Sequence, residues 1–175
     1  MLKSYKRGVI IIEDDDEIRN SFVSTVNSSD DYKVVGDYPT CELALANLKK
    51  VKPEIVLMDI KLPGMSGIEG VHAIKEINHL IEVIMVTIFE DSELVFEALK
   101  MGASGYITKS SNDIELLEAL NEITSGGAPM TGKIARMVIR NFHISHTSPL
   151  TRREKEILQL LAEGMTYLQI SEKLF

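Results

Sequence analysis

Apolar residues in the first two thirds of the chain follow two alternating rhythms. Unbroken runs at 8–12 (GVIII), 54–58 (EIVLM) and 81–87 (IEVIMVT) are rich in β-branched residues, the pattern of strands covered on both faces. YKVVGDY (32–38) and SGYIT (104–108) complete five predicted strands. Between them the apolar spacing widens to helical periods. In 15–29, Ile18, Phe22 and Val26 stand at i, i+4 and i+8, and in 67–78 Ile68, Val71 and Ile74 mark successive turns. Further helices are predicted over 41–50, over 91–102 with Gly102 as a stop signal, and over 110–127, which opens on cap-type residues and closes on Gly126–Gly127. Pro53 breaks the chain just before the third strand.

Strands alternating with helices at short connections predict an α/β fold, a five-stranded parallel sheet doubly wound by helices. Ligands of such sheets bind beyond the carboxyl ends of the strands. Glu13 and Asp14 follow the first strand, Asp59 follows the third, Thr87 ends the fourth and Lys109 follows the fifth. Five polar residues are thus expected along one edge.

After Gly127 the style changes. Residues 128–142 read as a basic helix carrying Lys133, Arg136 and Arg140, and HISHTSP (143–149) reads as a linker. LTRREKEILQLLAEGMTYLQISEKLF (150–175) predicts two short helices around Gly164. Thr151 and Glu154 have capping-box spacing. Ile157, Leu158, Leu160 and Leu161 form one apolar face, and Met165, Ile170 and Leu174 begin another. Two short helices bury no core of their own, so this unit reads as incomplete.

Composition changes the picture in three places. A net charge of −7 argues against a chain whose main business is wrapping nucleic acid or anionic membrane, while leaving room for a local basic surface. The single cysteine, Cys41, rules out an intramolecular disulfide and fits a reducing compartment. The N-terminal apolar run is too short for a signal-peptide core or a membrane span, so a soluble cytoplasmic protein without membrane association is expected.

Three carboxylates at one sheet edge repel one another, and the cost rises with burial. A hard divalent cation resolves that repulsion. Mg²⁺ takes a few carboxylate oxygens plus waters and often works beside phosphate, and Mn²⁺ is the alternative. A carboxylate left facing the open side can act as a nucleophile toward phosphorus, with Mg²⁺, Lys109 and the Thr87 hydroxyl available to the phosphoryl oxygens. Pro63, Gly64 and Gly67 would shape the loop beside Asp59. Asp15, Asp16 and Glu17 read more simply as the solvated, dipole-favoured start of a helix. His143 and His146 have a spacing a metal could use but lack Cys or acidic company, and His72 and His79 read as surface helix positions.

These residues carry a family likeness. The acidic pair Glu13–Asp14 with Arg19 five positions on, D-x-x-x-P-G-M-x-G at 59–67, Thr87 after a hydrophobic strand and G-Y-I-T-K at 105–109 together resemble a two-component response regulator. Residues 150–175 look like the first half of the helix-turn-helix effector of the NarL/LuxR subfamily. The resemblance implies a flavodoxin-like receiver domain over 1–125, a linker with one helix over 126–149, and a DNA-binding unit beginning at 150. It implies that Asp59 is the phosphoacceptor, supplied by a cognate histidine kinase. Glu13, Asp14, Asp59 and the backbone carbonyl of Lys61 would hold Mg²⁺. Thr87 and Lys109 would contact the phosphoryl oxygens, and Tyr106 would change rotamer as Thr87 moves. It implies a protein that is not an enzyme, at most dephosphorylating itself.

Three departures from the family pattern set further expectations. Glu13 stands where many members have Asp, which displaces the charge by a methylene. Ile88 replaces a small residue and is expected to tighten the phosphoryl pocket. The recognition helix is absent from the sequence, so the chain is expected to be truncated, unable to read operator DNA, and open to homodimer contacts through its apolar faces. Lys61 and Phe89 flank the site at positions expected to govern water access. Two competing readings are a receiver-only adaptor acting by protein contact and a haloacid-dehalogenase-type phosphatase built on Asp14-x-Asp16. In the second, Ile18 occupies the position where that motif needs Thr.

Overall fold

The computed structural model describes residues 5–88 and 91–144, with 141–144 as backbone alone, together with Glu156, Leu160, Ile170 and Lys173. Five strand–helix units follow in order: β1 (Arg7–Ile12), α1 (Asp16–Ser28), β2 (Tyr32–Tyr38), α2 (Cys41–Val51), β3 (Ile55–Met58), α3 (Gly67–Ile77), β4 (Glu82–Thr87), α4 (Ser92–Lys100), β5 (Gly105–Thr108) and α5 (Asp113–Thr124), and then α6 (Gly132–Ile144). The strands form one sheet in the order β2-β1-β3-β4-β5, and every pairing is parallel. This is the flavodoxin-like order.

The unbroken apolar runs exist because both faces of the sheet are covered. Alternate residues of each strand serve alternate faces. Ile10, Ile12, Val56, Met58, Val83, Met85 and Tyr106 share a cluster with residues of α2, α3 and α4. Val9, Ile11, Ile55, Leu57, Ile84, Val86 and Ile107 share the opposite cluster with residues of α1 and α5. Each such aliphatic side chain taken from water contributes about 1.5–3 kcal/mol. The stripe predicted for α3, Ile68, Val71 and Ile74, is buried, while of the α1 stripe only Val26 is buried and Ile18 and Phe22 are half-buried.

Two helix starts carry capping boxes legible as S-x-x-E and N-x-x-E. Ser66 and Glu69 cap α3, and Asn112 and Glu115 cap α5. The second box explains why α5 begins three residues later than the predicted 110. Ser111 N–H donates to the Thr108 carbonyl, which turns the chain before the cap. Cys41 is buried and free, and burial first, then Glu42 and Glu69, pushes its thiol up to about 12. His79 lies past the end of α3 rather than on it, while His72 is on the helix and exposed.

The segment predicted as helix from 128 begins instead as extended chain. Tyr106 N–H donates to the Pro129 carbonyl at 2.8 Å, and Tyr106 pairs with Met130 in a parallel bridge along the free edge of β5. Helix α6 starts only at Gly132 and continues to Ile144, so His143 and Ile144 extend the helix past the predicted 142. Before residue 140 it buries Ile134 completely and lays Met137 and Val138 against the cluster that contains Tyr106.

The chain divides into two compact units, Met1–Ile139 and Arg140–Phe175. In the second, Leu160 and Ile170 are buried helical residues, as their predicted apolar faces require, while Glu156 is exposed. The predicted Thr151–Glu154 capping box, His146, Phe89, and Ile157, Leu158, Leu161, Met165 and Leu174 lie outside the described residues. No helix among the described residues is long and apolar enough to cross a membrane.

Candidate functional site

Strand register builds the site. Ile12 lies opposite Met58, Met58 opposite Met85, and Thr87 opposite Thr108, so these strands end at nearly one level. The next residues continue the pairing, since Asp59 N–H donates to the Ile12 carbonyl and Lys109 N–H donates to the Thr87 carbonyl, each at 3.0 Å. The side chains that follow therefore meet at the carboxyl edge.

Lys109 is the centre of that meeting. Its ammonium lies 2.5 Å from Glu13 Oε2 and donates to Asp59 Oδ2 at 2.9 Å. Glu13 and Asp59 are almost wholly buried, with side chains 2% and 6% exposed. Glu13, Asp14 and Asp59 each offer an oxygen within 4.8 Å of the others, and Asp14 is exposed at the mouth. Burial pushes the Glu13 carboxyl above its usual range even though Lys109 and the Asp15 N–H favour its charged form. For Lys109 burial opposes the charge, but the two carboxylates outweigh it, and its pKa is raised.

Three carboxylates facing one ammonium leave two negative charges uncompensated when all are ionised. Apart from its ion pair, Glu13 Oε2 is a buried oxygen with no hydrogen-bonding partner. An all-oxygen donor set and an excess of two charges fit a hard divalent cation such as Mg²⁺. Asp59 has its other oxygen, Oδ1, fixed by the Ile60 N–H at 2.7 Å.

Two glycines set the geometry of the loop beside Asp59. Gly67 N–H donates to the Ile60 carbonyl at 2.8 Å, and a Cβ at Gly67 would overlap the Asp59 carbonyl oxygen. Gly64 has φ +79°, and Glu42 Oε1 lies against its Cα face while accepting from the Met65 N–H. Pro63 is exposed on the same turn. Thr87 is fully buried at the end of β4, and Tyr106 is fully buried in β5. Lys61 is exposed next to the acidic cluster in sequence.

The residue after Thr87 behaves differently from expectation. Ile88 is 69% exposed, so its bulk projects mostly into solvent and does not tighten the buried pocket. Ile88 stands past the end of β4, beyond the part of the strand that is covered on both faces. Of the acids assigned to the start of α1, Asp15 caps the helix through the Glu17 and Ile18 N–H groups, and Asp16 forms an ion pair with Arg19. What the sequence did not reveal is how Arg19 is used. Its Nη1 donates to the Glu13 carbonyl at 2.8 Å, and its Nε lies 3.5 Å from Asp37 Oδ2 at the end of β2.

Comparison with known proteins identifies the family of both parts of the sequence. Residues 9–121 match the response regulator receiver domain model, and residues 148–175 match that of bacterial regulatory proteins of the luxR family. The Bacillus subtilis protein YxjL, described as an uncharacterized transcriptional regulatory protein, is 31% identical over 178 residues, covering 97% of this chain and 82% of its own length. The B. subtilis transcriptional regulatory protein DesR is 31% identical over 167 residues, covering 95% of this chain and 80% of its own. Among solved structures, a LuxR-family two-component response regulator from Aurantimonas sp. SI85-9A1 superposes with a TM-score of 0.73 at 28% identity, covering 78% of this chain and 98% of that one.

Proposed function

The chain belongs to the response regulators, with a receiver domain ahead of a LuxR-type DNA-binding match, and from that premise we propose that Asp59 is its phosphoacceptor. Its relatives are transcriptional regulators, and the family is generally not enzymatic. The single observation that carries the proposal is the buried Lys109–Asp59–Glu13 cluster, whose excess negative charge lies at the edge where the fold binds ligands.

A cognate histidine kinase supplies the phosphoryl group. An Asp59 carboxylate oxygen forms a bond to phosphorus while the bond between phosphorus and the kinase imidazole nitrogen breaks. The bonding pair leaves with that nitrogen. Lys109 follows the new charge, moving its ammonium from carboxylate toward the phosphoryl oxygens, and the Thr87 hydroxyl donates to another of them. Glu13, Asp14, Asp59 and the Lys61 carbonyl would hold Mg²⁺, with Mn²⁺ as a substitute, and the bound ion would supply neutralisation of phosphoryl oxygen charge. Return to the resting state is hydrolysis of the acyl phosphate, self-catalysed, with Lys61 governing the approach of water.

Output runs through Tyr106. Its side chain is buried in the same cluster as Ile134, and its N–H holds the Pro129 carbonyl, so a change at Tyr106 reaches the segment that enters α6. Phosphorylation thereby changes the population of a second arrangement of β5 and its strap. In the cell this is a cytoplasmic event that controls DNA binding by a homodimer.

A small phosphodonor tests the reading. With acetyl phosphate and Mg²⁺, one hydroxylamine-sensitive phosphate per chain is expected. Asp59→Asn should abolish it, and Asp16→Asn should leave it unchanged. Equal labelling of Asp59→Asn and the natural protein would refute the assignment.

A further inference from the structure

The three carboxylates come from only two pieces of backbone, Asp59 from the end of β3 and the Glu13–Asp14 pair from the turn between β1 and α1. That turn lies beyond the last paired residue of β1, and the sheet ladder reaches only its first N–H. Two bonds hold the Glu13 backbone. Glu13 N–H donates to the Tyr38 carbonyl at 3.0 Å, and the Glu13 carbonyl accepts from Arg19 Nη1 at 2.8 Å.

The same guanidinium reaches two more groups. It forms an ion pair with Asp16 on the first turn of α1, and its Nε stands 3.5 Å from Asp37 Oδ2 at the end of β2. The Arg19 side chain is only 13% exposed, and Nε has no hydrogen-bond partner besides that ion pair. One planar fork therefore ties the acid-bearing turn to both the helix that follows it and the neighbouring strand. We propose that Arg19 is a positioning residue for the divalent-cation site, holding Glu13 and Asp14 in register with Asp59. The inference rests on the reading of that site as a Mg²⁺ site.

Position and charge predict opposite outcomes when Arg19 is removed. Arg19 is a cation near a cation site, so charge alone predicts that its loss tightens Mg²⁺ binding by leaving Asp16 and Asp37 unpaired. Loss of positioning predicts weaker binding, because the carboxylates no longer converge at no cost in ordering the turn. Lysine retains the charge but not the fork that reaches three acceptors in different directions.

Mg²⁺ affinity measured by calorimetry on folded protein, alongside cation-free thermal melts, separates these. Arg19→Gln is expected to weaken Mg²⁺ binding about 10-fold or more, in the range found for groups that orient metal ligands. Arg19→Lys should fall between Arg19→Gln and the natural protein. The acetyl phosphate reaction of both variants should need more Mg²⁺ for half-maximal rate and recover most of the maximal rate at saturation. Unchanged or tighter Mg²⁺ binding by Arg19→Gln would overturn the proposal. So would unfolding of both variants without cation, which would make Arg19 a general structural residue. If the natural protein itself bound no Mg²⁺, the reading of the site would fail first, a result distinct from equal binding by natural protein and variant.

Discussion

Two lysines meet carboxylates at opposite ends of the same sheet, and the two clusters are built to different rules. At the amino end of β4, Lys75 lies 3.6 Å from Glu82 Oε2 and 3.3 Å from Ser104 Oγ, and Ser104 in turn donates to Glu82. One cation faces one anion, a hydroxyl joins them, and Glu82 is 42% exposed. At the carboxyl end, Lys109 faces two carboxylates that are nearly sealed from water, with a third within 4.8 Å. The first cluster is balanced and wet, and packing of α3 on the sheet accounts for it. The second is unbalanced, with two of its three carboxylates buried, which costs folding energy unless something else arrives. A structural ion pair closes its own charge balance, whereas a binding site leaves it open.

The sharpest way to break that contrast is covalent. Asp59→Asn should lose all phosphorylation by acetyl phosphate, while Glu82→Gln should retain the natural rate, as followed by phosphate-affinity electrophoresis. Similar losses in both variants would erase the distinction between the two ends.

The next effect is steric. Gly67→Ala should destabilise the fold by about 3 kcal/mol or more in urea unfolding, because the new Cβ meets backbone oxygen that cannot step aside. The loop that frames the site is thus held by contact geometry as well as by charge.

The third effect concerns sign. Glu13 has a native pKa raised above the usual 4.5, chiefly by burial. The stability its protonated form contributes is fully present below about pH 4.5 and is lost as pH rises through the raised native value. Without cation, Glu13→Gln should therefore melt higher than the natural protein at pH 7, with a smaller difference at pH 4. Added Mg²⁺ should stabilise the natural protein more than the variant and shrink the gap. Glu82→Gln should instead lower stability, by less than about 1 kcal/mol, as expected of an exposed pair. Differential scanning fluorimetry with and without Mg²⁺ reads both signs.

Much of the site was legible because parallel strands buried on both faces leave unmistakable apolar runs, and the residue after each run is placed by register. Ile12, Met58 and Thr108 end their runs, so Glu13, Asp59 and Lys109 had to emerge along one edge. Local signals also located α3 and α5, although Ser66–Glu69 and Asn112–Glu115 would have fixed their starts more closely. What stayed hidden depended on partners distant in sequence. Residues 128–130 look helical in isolation, but the Tyr106 N–H and the open edge of β5 draw Pro129 and Met130 into an extended bridge. Ile88 looked obstructive because its size is visible in the sequence and its outward direction is not. Arg19 read as part of a motif, yet its reach to Asp37 depends on β2 lying beside β1.

The central claim is that the open charge balance at the carboxyl edge serves phosphorylation of Asp59. Borohydride reduces an aspartyl phosphate to homoserine, which peptide mass mapping can place in the sequence. After treatment with acetyl phosphate and Mg²⁺, homoserine is expected at position 59 alone, and only when Mg²⁺ was present. Homoserine at position 14 or 16 instead, or labelling at 59 that is indifferent to Mg²⁺, would contradict the account.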